Sequence, residues 1–148
     1  MSANAAAYNA RIVPCHAGNQ TASSNGISID TLGYETLTFI YQYGTTTTFT
    51  SATVDFTLED SADDSSFAAI TGAAMAQHTS AQNAKRHAIV LNLKGRRRYV
   101  RAVLTKGGTT LATAATGPLN NGGVLIATNG AASLPATHFD SLVHVVTA

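Results

Sequence analysis

The chain is poor in charge: charged residues make up only 11% of its 148 residues. A typical soluble domain carries roughly 25%. Threonine, serine, asparagine, glutamine and glycine supply the polarity instead, and no tryptophan is present. A surface of such residues costs less to desolvate than a charged one, so the composition favours burial in an assembly. A plain Thr-rich β domain is the alternative.

A single cysteine excludes an internal disulfide, and Cys15 has no partner at metal-ligand spacing. Cys15 lies next to His16, and these residue types can form a nucleophile and its base. Adjacent side chains of an extended segment point to opposite sides, however, which argues against a catalytic pair. The sequence has no HxH or HExxH spacing and no G-x-S-x-G elbow. We therefore expect no enzymatic activity, no metal and no cofactor.

The net charge of +1 gives no general attraction to nucleic acid or to anionic lipid. No segment approaches the roughly 18 consecutive apolar residues that a membrane-spanning helix needs. The N-terminal residues show neither the basic leader nor the apolar stretch of a signal peptide. The sequence thus predicts a protein that is made and used without secretion, with no membrane or nucleic-acid partner.

The segment 52–70, ATVDFTLEDSADDSSFAAI, has the clearest structural pattern. Val54, Phe56 and Leu58 alternate with polar residues, which is typical of a strand with one buried and one solvated face. An acidic, Ser-rich turn follows before Phe67 and Ile70 return as apolar residues, so a hairpin is predicted. The turn lacks the spacing of a calcium loop, and we expect its Asp and Ser side chains to bond their own backbone.

Other short apolar segments are separated by Gly, Asn and Thr turns, with no sustained helical pattern. Ile27 and Ile29 are predicted to share a strand face. Residues 45–50 are predicted to form a polar loop or loose edge, and the Ala-rich residues 71–86 a loop between sheets. The fold class that follows is all-β, either an antiparallel β-sandwich or a small, jelly-roll-like β-barrel.

The pattern divides the chain into an N-terminal arm (1–25), a β-sandwich domain (26–127) and a C-terminal arm or strand (128–148). The N-terminal arm is small and polar, and its apolar residues are predicted to dock it on a neighbouring surface during assembly. The C-terminal arm is apolar and β-prone, so we expect it to pair with a sheet edge of its own chain or of a neighbour. The docking residues are Tyr8, Ile12 and Val13 in the first arm and Leu142, Val143 and Val145 in the second.

Arg96, Arg97 and Arg98 form a basic turn. A single turn of three arginines is a small footprint for a phosphate backbone. Arginine is suited to ion pairs at interfaces. We therefore expect these residues to pair with carboxylates, either those of Asp63 and Asp64 or those of an acidic partner.

Three segments in this order resemble motifs of small head proteins of tailed bacteriophages. They are IDTLGYETLTF at 29–39, TLEDSADDSSFAAI at 57–70 and RRYVRAVLT at 97–105. The resemblance spans residues 26–127, and the family's acidic turn carries glycine where this chain has Asp64. The chain is similar in these motifs to head decoration, or cement, proteins.

That resemblance implies a virion structural protein without catalytic residues, assembled in the host cytoplasm and seated on the capsid exterior. The implied partner is the major capsid protein, and a homo-oligomer, with a trimer favoured, is expected. The predicted partner-binding residues are Tyr8, Ile12, Val13, Arg96, Arg97, Arg98, Leu142, Val143 and Val145. The alternative is a neck, tail or adsorption module that binds surface glycans through tyrosines such as Tyr34, although the lack of tryptophan counts against it.

Overall fold

The computed structural model describes residues 10–16, 22–42, 46–50, 53–78, 85–108, 110–113, 122–129, 137 and 139–145. In chain order its strands are β1 (Arg11–His16), β2 (Ser24–Asn25), β3 (Ile29–Asp30), β4 (Thr36–Gln42), β5 (Thr46–Thr50), β6 (Thr53–Ser61), β7 (Ala68–Ala74), β8 (Arg86–Asn92), β9 (Tyr99–Gly107), β10 (Thr110–Thr113), β11 (Gly122–Thr128) and β12 (Ser141–Val145).

Two five-stranded sheets contain most of these strands. The first has the order β1–β11–β4–β8–β12, in which β12 is parallel to β8 and the other pairs are antiparallel. The second has the order β2–β9–β6–β7, and β3 also pairs with β9. The predicted all-β sandwich is confirmed, whereas the described strands do not close into a barrel.

The core lies between the two large sheets, and β6 contributes its most regular part. Val54, Phe56 and Leu58 are fully buried and alternate with half-buried polar residues. The Phe56 ring centroid lies 4.1 Å from that of Tyr41 and 5.7 Å from that of Phe39, both on β4 of the opposite sheet. The predicted period of two in this strand is confirmed.

The hairpin turn between β6 and β7 is organised by Asp63. Its Oδ1 accepts hydrogen bonds from the backbone N–H groups of Ser66 at 2.9 Å and Ser65 at 3.0 Å, and from the Ser61 hydroxyl at 2.8 Å. These bonds hold the pKa of Asp63 well below its usual range. Asp64 has a φ of 60°, in the left-handed region that glycine favours. The predicted turn, bonded to its own backbone, is confirmed.

The sequence predicts a loop at residues 71–86, and this is wrong for 71–74, which belong to β7, and for Arg86, which begins β8. Residues 79–84 of the predicted loop lie outside the described residues. β7 continues to Ala74, and the Met75 N–H donates to the Phe56 carbonyl at 2.9 Å. The pairing register with β6 shifts between Thr57 and Glu59. Such a bulge disrupts the alternation of buried and exposed residues, so the sequence lacks the periodic signal of a strand. Residues 46–50 form β5, which pairs with β10 in a two-stranded sheet.

Parts of both predicted arms lie within the sandwich of the same chain. β1 pairs with β11, β2 pairs with β9, and β12 pairs with β8. Cys15 and His16, at the end of β1, are both buried. The register of β1 shifts between Pro14 and His16, and this irregularity interrupts the alternation.

Replacing Phe56 by alanine is expected to lower the free energy of unfolding by about 3–5 kcal/mol, because the lost ring leaves a cavity between the sheets. Thr57→Ala, on the half-buried face of the same strand, is the matched control and should cost less than about 1 kcal/mol. Urea unfolding followed by tyrosine fluorescence measures both variants. Similar losses for the two would contradict this account of the core.

Candidate functional site

Three large apolar side chains are exposed in the described part of the chain: Ile12 by 61%, Ile27 by 63% and Leu32 by 67%. Ile12 lies on β1, whereas Ile27 and Leu32 lie just before and just after β3. Apolar residues scattered singly over a surface are normal, but a group of them marks an interaction site. Whether these three residues mark an interaction site therefore depends on how close together they lie.

The chain segment from residue 27 to residue 30 runs beside β1. The Ile27 N–H donates to the Cys15 carbonyl at 3.1 Å, near the end of β1. At the start of β1, the Arg11 guanidinium lies 3.9 Å from the Asp30 carboxylate. The exposed apolar residues therefore follow one border of the sandwich, where the two large sheets meet. We call this surface the β1 edge, and it consists of Arg11, Ile12, Ile27, Asp30, Leu32 and Arg98.

Ile27 is exposed where the backbone passes from β9 to β1, directly after the closely packed Gly26. A Cβ atom at this position would lie 2.8 Å from the Ala102 carbonyl oxygen and 2.9 Å from His16 Nε2, so no larger side chain fits. The Gly26 N–H bonds to Ala102 of β9, but the next N–H bonds to β1 instead. This change of partner separates Ile27 from the fully buried Ile29. The prediction that the two isoleucines share a face is therefore wrong.

Asp30 connects two arginines at the β1 edge. Arg98 donates to both of its carboxylate oxygens, from Nε at 2.9 Å and from Nη2 at 2.8 Å, and Arg11 lies close to the same group. The Arg98 hydrogen bond, helped by the Leu32 N–H, lowers the pKa of Asp30 to about 2. One carboxylate thus faces two guanidinium groups, which leaves this edge with an excess positive charge.

Two further arginines, Arg97 and Arg101, also have carboxylate partners within the chain. Arg97 Nε lies 3.8 Å from Asp60 Oδ1, and Arg101 donates to Glu59 Oε2 from Nε at 2.9 Å and from Nη2 at 2.7 Å. Arg96 Nε has no hydrogen-bond partner in the described ranges. The ion pairs are thus made with Asp30, Asp60 and Glu59.

Asp63 and Asp64, which the sequence suggested as partners of the basic turn, have other roles. The Asp63 carboxylate is occupied by the backbone and hydroxyl groups of its own hairpin turn. Asp64 Oδ1 accepts a hydrogen bond from the Ser28 hydroxyl. The sequence predicts that the basic turn pairs with Asp63 and Asp64, and this is wrong for Arg97 and Arg98, which pair with Asp60 and Asp30 instead.

The predicted partner-binding residues do not lie together at one surface. Ile12 and Arg98 belong to the β1 edge, and Val13 next to them packs partly against the core. Leu142 and Val143 lie half-buried on β12, at the opposite border of the first sheet. Val145 is buried in the chain's own core, which removes it from the exposed surface. Tyr8 lies outside the described residues.

Sequence reasoning missed Ile27 and Leu32 as surface residues. Leu32 follows Asp30, whose Oδ1 accepts the Leu32 N–H, and precedes Gly33 with a φ of 86°. Leu32 lies within this turn and is exposed, and the neighbouring Gly33 was the available signal for a turn. For Ile27 the signal was Gly26, but its significance depends on contacts that only the folded chain shows.

Cys15 and His16 form part of a buried polar group rather than an accessible catalytic pair. Burial raises the pKa of the Cys15 thiol to about 12, so it stays uncharged at neutral pH. His16 Nε2 lies 3.2 Å from the Ala102 carbonyl, to which it can donate, and Nδ1 lies 3.3 Å from the Ser24 hydroxyl. These contacts satisfy the ring within the fold and give it a structural role.

The rings of His78 and His87 pack against each other, inclined by 55°, where the two large sheets meet. Their ring centroids are 4.3 Å apart, and both side chains are buried. His78 forms an isolated bridge with Val54 of the second sheet, whereas His87 belongs to β8 of the first. Burial, together with the neighbouring His78, lowers the pKa of His87 to about 4. Protonation of this pair therefore opposes the fold.

In the described ranges, no group of three or more His, Cys, Asp or Glu residues is placed to hold a metal ion. No helix there is both long and apolar enough to cross a membrane. No known family model and no curated protein matches the sequence. The likeness to bacteriophage head proteins therefore stays a resemblance carried by the three motifs.

Lowering the pH is expected to destabilise the protein through His87. In the unfolded chain His87 binds a proton below about pH 6.5, whereas in the folded chain it does so only near pH 4. The free energy of unfolding therefore falls as the pH is lowered from about 6.5 to about 4, and below that the contribution of His87 no longer changes. The expected loss is about 3 kcal/mol. Urea unfolding at several pH values should show a smaller slope for His87→Gln. The exposed His144→Gln is the control, and equal slopes for His87→Gln and the parent would contradict the assignment.

Proposed function

We propose that this protein is a structural component of a bacteriophage virion that decorates the capsid and stabilises it by bridging major capsid protein subunits. The observation that carries the proposal is the β1 edge, where three large apolar side chains are exposed beside arginines on one border of a sandwich. The three ordered head-protein motifs supply the class of partner. The low charge of the chain agrees with extensive burial in an assembly.

The charge arrangement favours a protein partner over nucleic acid. Arg97, Arg98 and Arg101 are each paired with a carboxylate of the same chain, which weakens the field that a phosphate backbone would meet. Arg11 and Arg98 nevertheless remain about half exposed. Apolar residues bordered by half-exposed arginines are the usual composition of a protein–protein interface.

The energetics of the β1 edge favour a multivalent attachment. Full burial of an Ile or Leu side chain stabilises by about 1.5–3 kcal/mol. Three such residues therefore contribute several kcal/mol, whereas association costs an estimated 4–15 kcal/mol. A single edge would bind weakly on its own. A homotrimer, the oligomer favoured by the resemblance, would attach by three linked edges, and linkage raises the overall affinity without new contacts.

The double variant Ile27→Asp/Leu32→Asp tests the proposed function directly. Two carboxylates in place of apolar contacts are expected to weaken attachment by about tenfold or more, since each lost 1.4 kcal/mol is a factor of ten. Purified heads that lack the protein are incubated with parent or variant, and the bound fraction is measured by co-sedimentation. Thermal unfolding should be nearly unchanged, because both side chains are exposed in the free chain.

Thr71→Asp is the matched control, since it adds a carboxylate at an exposed position of β7, on the other border of the second sheet. It should attach to heads as the parent does. Parent-like attachment of the double variant would overturn the proposed role of the β1 edge. Failure of the parent itself to bind heads would overturn the decoration function.

A further inference from the structure

A pocket of about 510 Å³ opens at the end of the first sheet where β4 begins and β8 ends. Its volume falls within the range of small-ligand sites. It shares no residue with the β1 edge, and nothing in a decoration role requires it. The pocket is lined by Tyr34, Glu35, Thr36, Asn92, Leu93 and Lys94.

The walls of this pocket are fixed by backbone hydrogen bonds. The Glu35 N–H donates to the Thr128 carbonyl at 3.0 Å, and the Leu93 N–H donates to the Glu35 carbonyl at 2.9 Å. Thr36 pairs with Asn92 at the end of the β4–β8 ladder. A pocket framed in this way exists before any ligand arrives, so binding would not have to order the chain.

The lining combines the aromatic ring of Tyr34 with polar groups, among which one carboxylate (Glu35) and one ammonium group (Lys94) have opposite charges. Tyr34 packs partly against the core, which restricts its ring. Asn92 Oδ1 accepts the Lys94 N–H at 2.9 Å, and this bond orients the Asn92 amide. Glu35 supplies carboxylate acceptors, whereas the Asn92 amide and the Lys94 ammonium supply donors. Each hydroxyl of a sugar both donates and accepts, and a tyrosine ring offers an apolar face with a polar end.

We propose that this pocket binds a neutral saccharide unit, with the Tyr34 ring against the sugar and Glu35, Asn92 and Lys94 on its hydroxyl groups. The carboxylate of Glu35 disfavours phosphates and other polyanions, for which Lys94 is the one cation in the lining. Five of the six lining side chains carry a polar group, and they disfavour a purely apolar ligand, which would desolvate them without offering hydrogen bonds. The proposal goes beyond capsid decoration and gives the particle a means of contact with a glycan surface.

The test begins with the labelled full-length protein on a printed array of neutral and N-acetylated oligosaccharides. The bound sugar is then titrated by calorimetry against the parent and two variants, Glu35→Gln and Lys94→Ala. Both positions are exposed, so folding should persist, and thermal unfolding checks this. Lys94→Ala is expected to bind about tenfold more weakly, the effect of a lost hydrogen bond to a charged group. Glu35→Gln keeps an amide oxygen as acceptor but loses its charge, so it should bind about threefold to tenfold more weakly.

Arg86→Ala is the matched control, because it removes one cation from an exposed position at the other end of β8. It should bind the sugar like the parent. Absence of binding to any neutral sugar on the array would overturn the proposal. Binding that Glu35→Gln and Lys94→Ala leave unchanged would overturn it equally. Neither result bears on attachment to heads, which depends on the β1 edge.

Discussion

Packing of Phe56 against Tyr41 and Phe39 holds the two large sheets face to face. This contact decides which side of β4 and which side of β6 is buried. Because side chains alternate along a strand, a slip of one residue would move Phe56 to the solvated face. β6 pairs with β9 over nine residue pairs, from Thr53↔Gly107 to Ser61↔Tyr99. The core contact therefore also sets the position of every side chain on β9, including the partner of Glu59, Arg101.

The β1 edge follows from the same arrangement. β9 lies near the border of the second sheet. Residues 26–27 join it to β1, because the Gly26 N–H bonds to Ala102 of β9 and the Ile27 N–H bonds to Cys15 of β1. Ile27 is left outside, and Asp30 meets Arg98 at the start of β9. An exposed sheet border invites pairing with other chains, and charged residues and proline reduce that risk. β1 contains both Arg11 and Pro14, which reduce the risk that another strand pairs with this edge. A partner would therefore bind through the apolar side chains rather than through backbone pairing.

The sequence was most informative where alternation is regular and the buried residues are large. β4, β6 and the hairpin turn at Asp63 were predictable for this reason. β7 was not, because a bulge and small side chains erase its periodicity. The ion pair of Asp30 with Arg98 joins residues 68 positions apart, so it depends on strand pairing that no local pattern encodes. The same holds for the pairing of β1 with β11, which turns part of a predicted arm into a sheet strand. The polar pocket is likewise assembled from the ends of two distant strands.

A protein that stabilises a capsid through weak interfaces needs many copies, because the weak interfaces become effective only when they are repeated over the lattice. The copy number in the virion is therefore the most direct measure of the central claim. Quantitative mass spectrometry of purified particles gives the ratio of this chain to the major capsid protein. The account predicts a ratio set by the lattice, with copies distributed over the whole shell. A few copies per particle would contradict it and would indicate a neck or tail location instead.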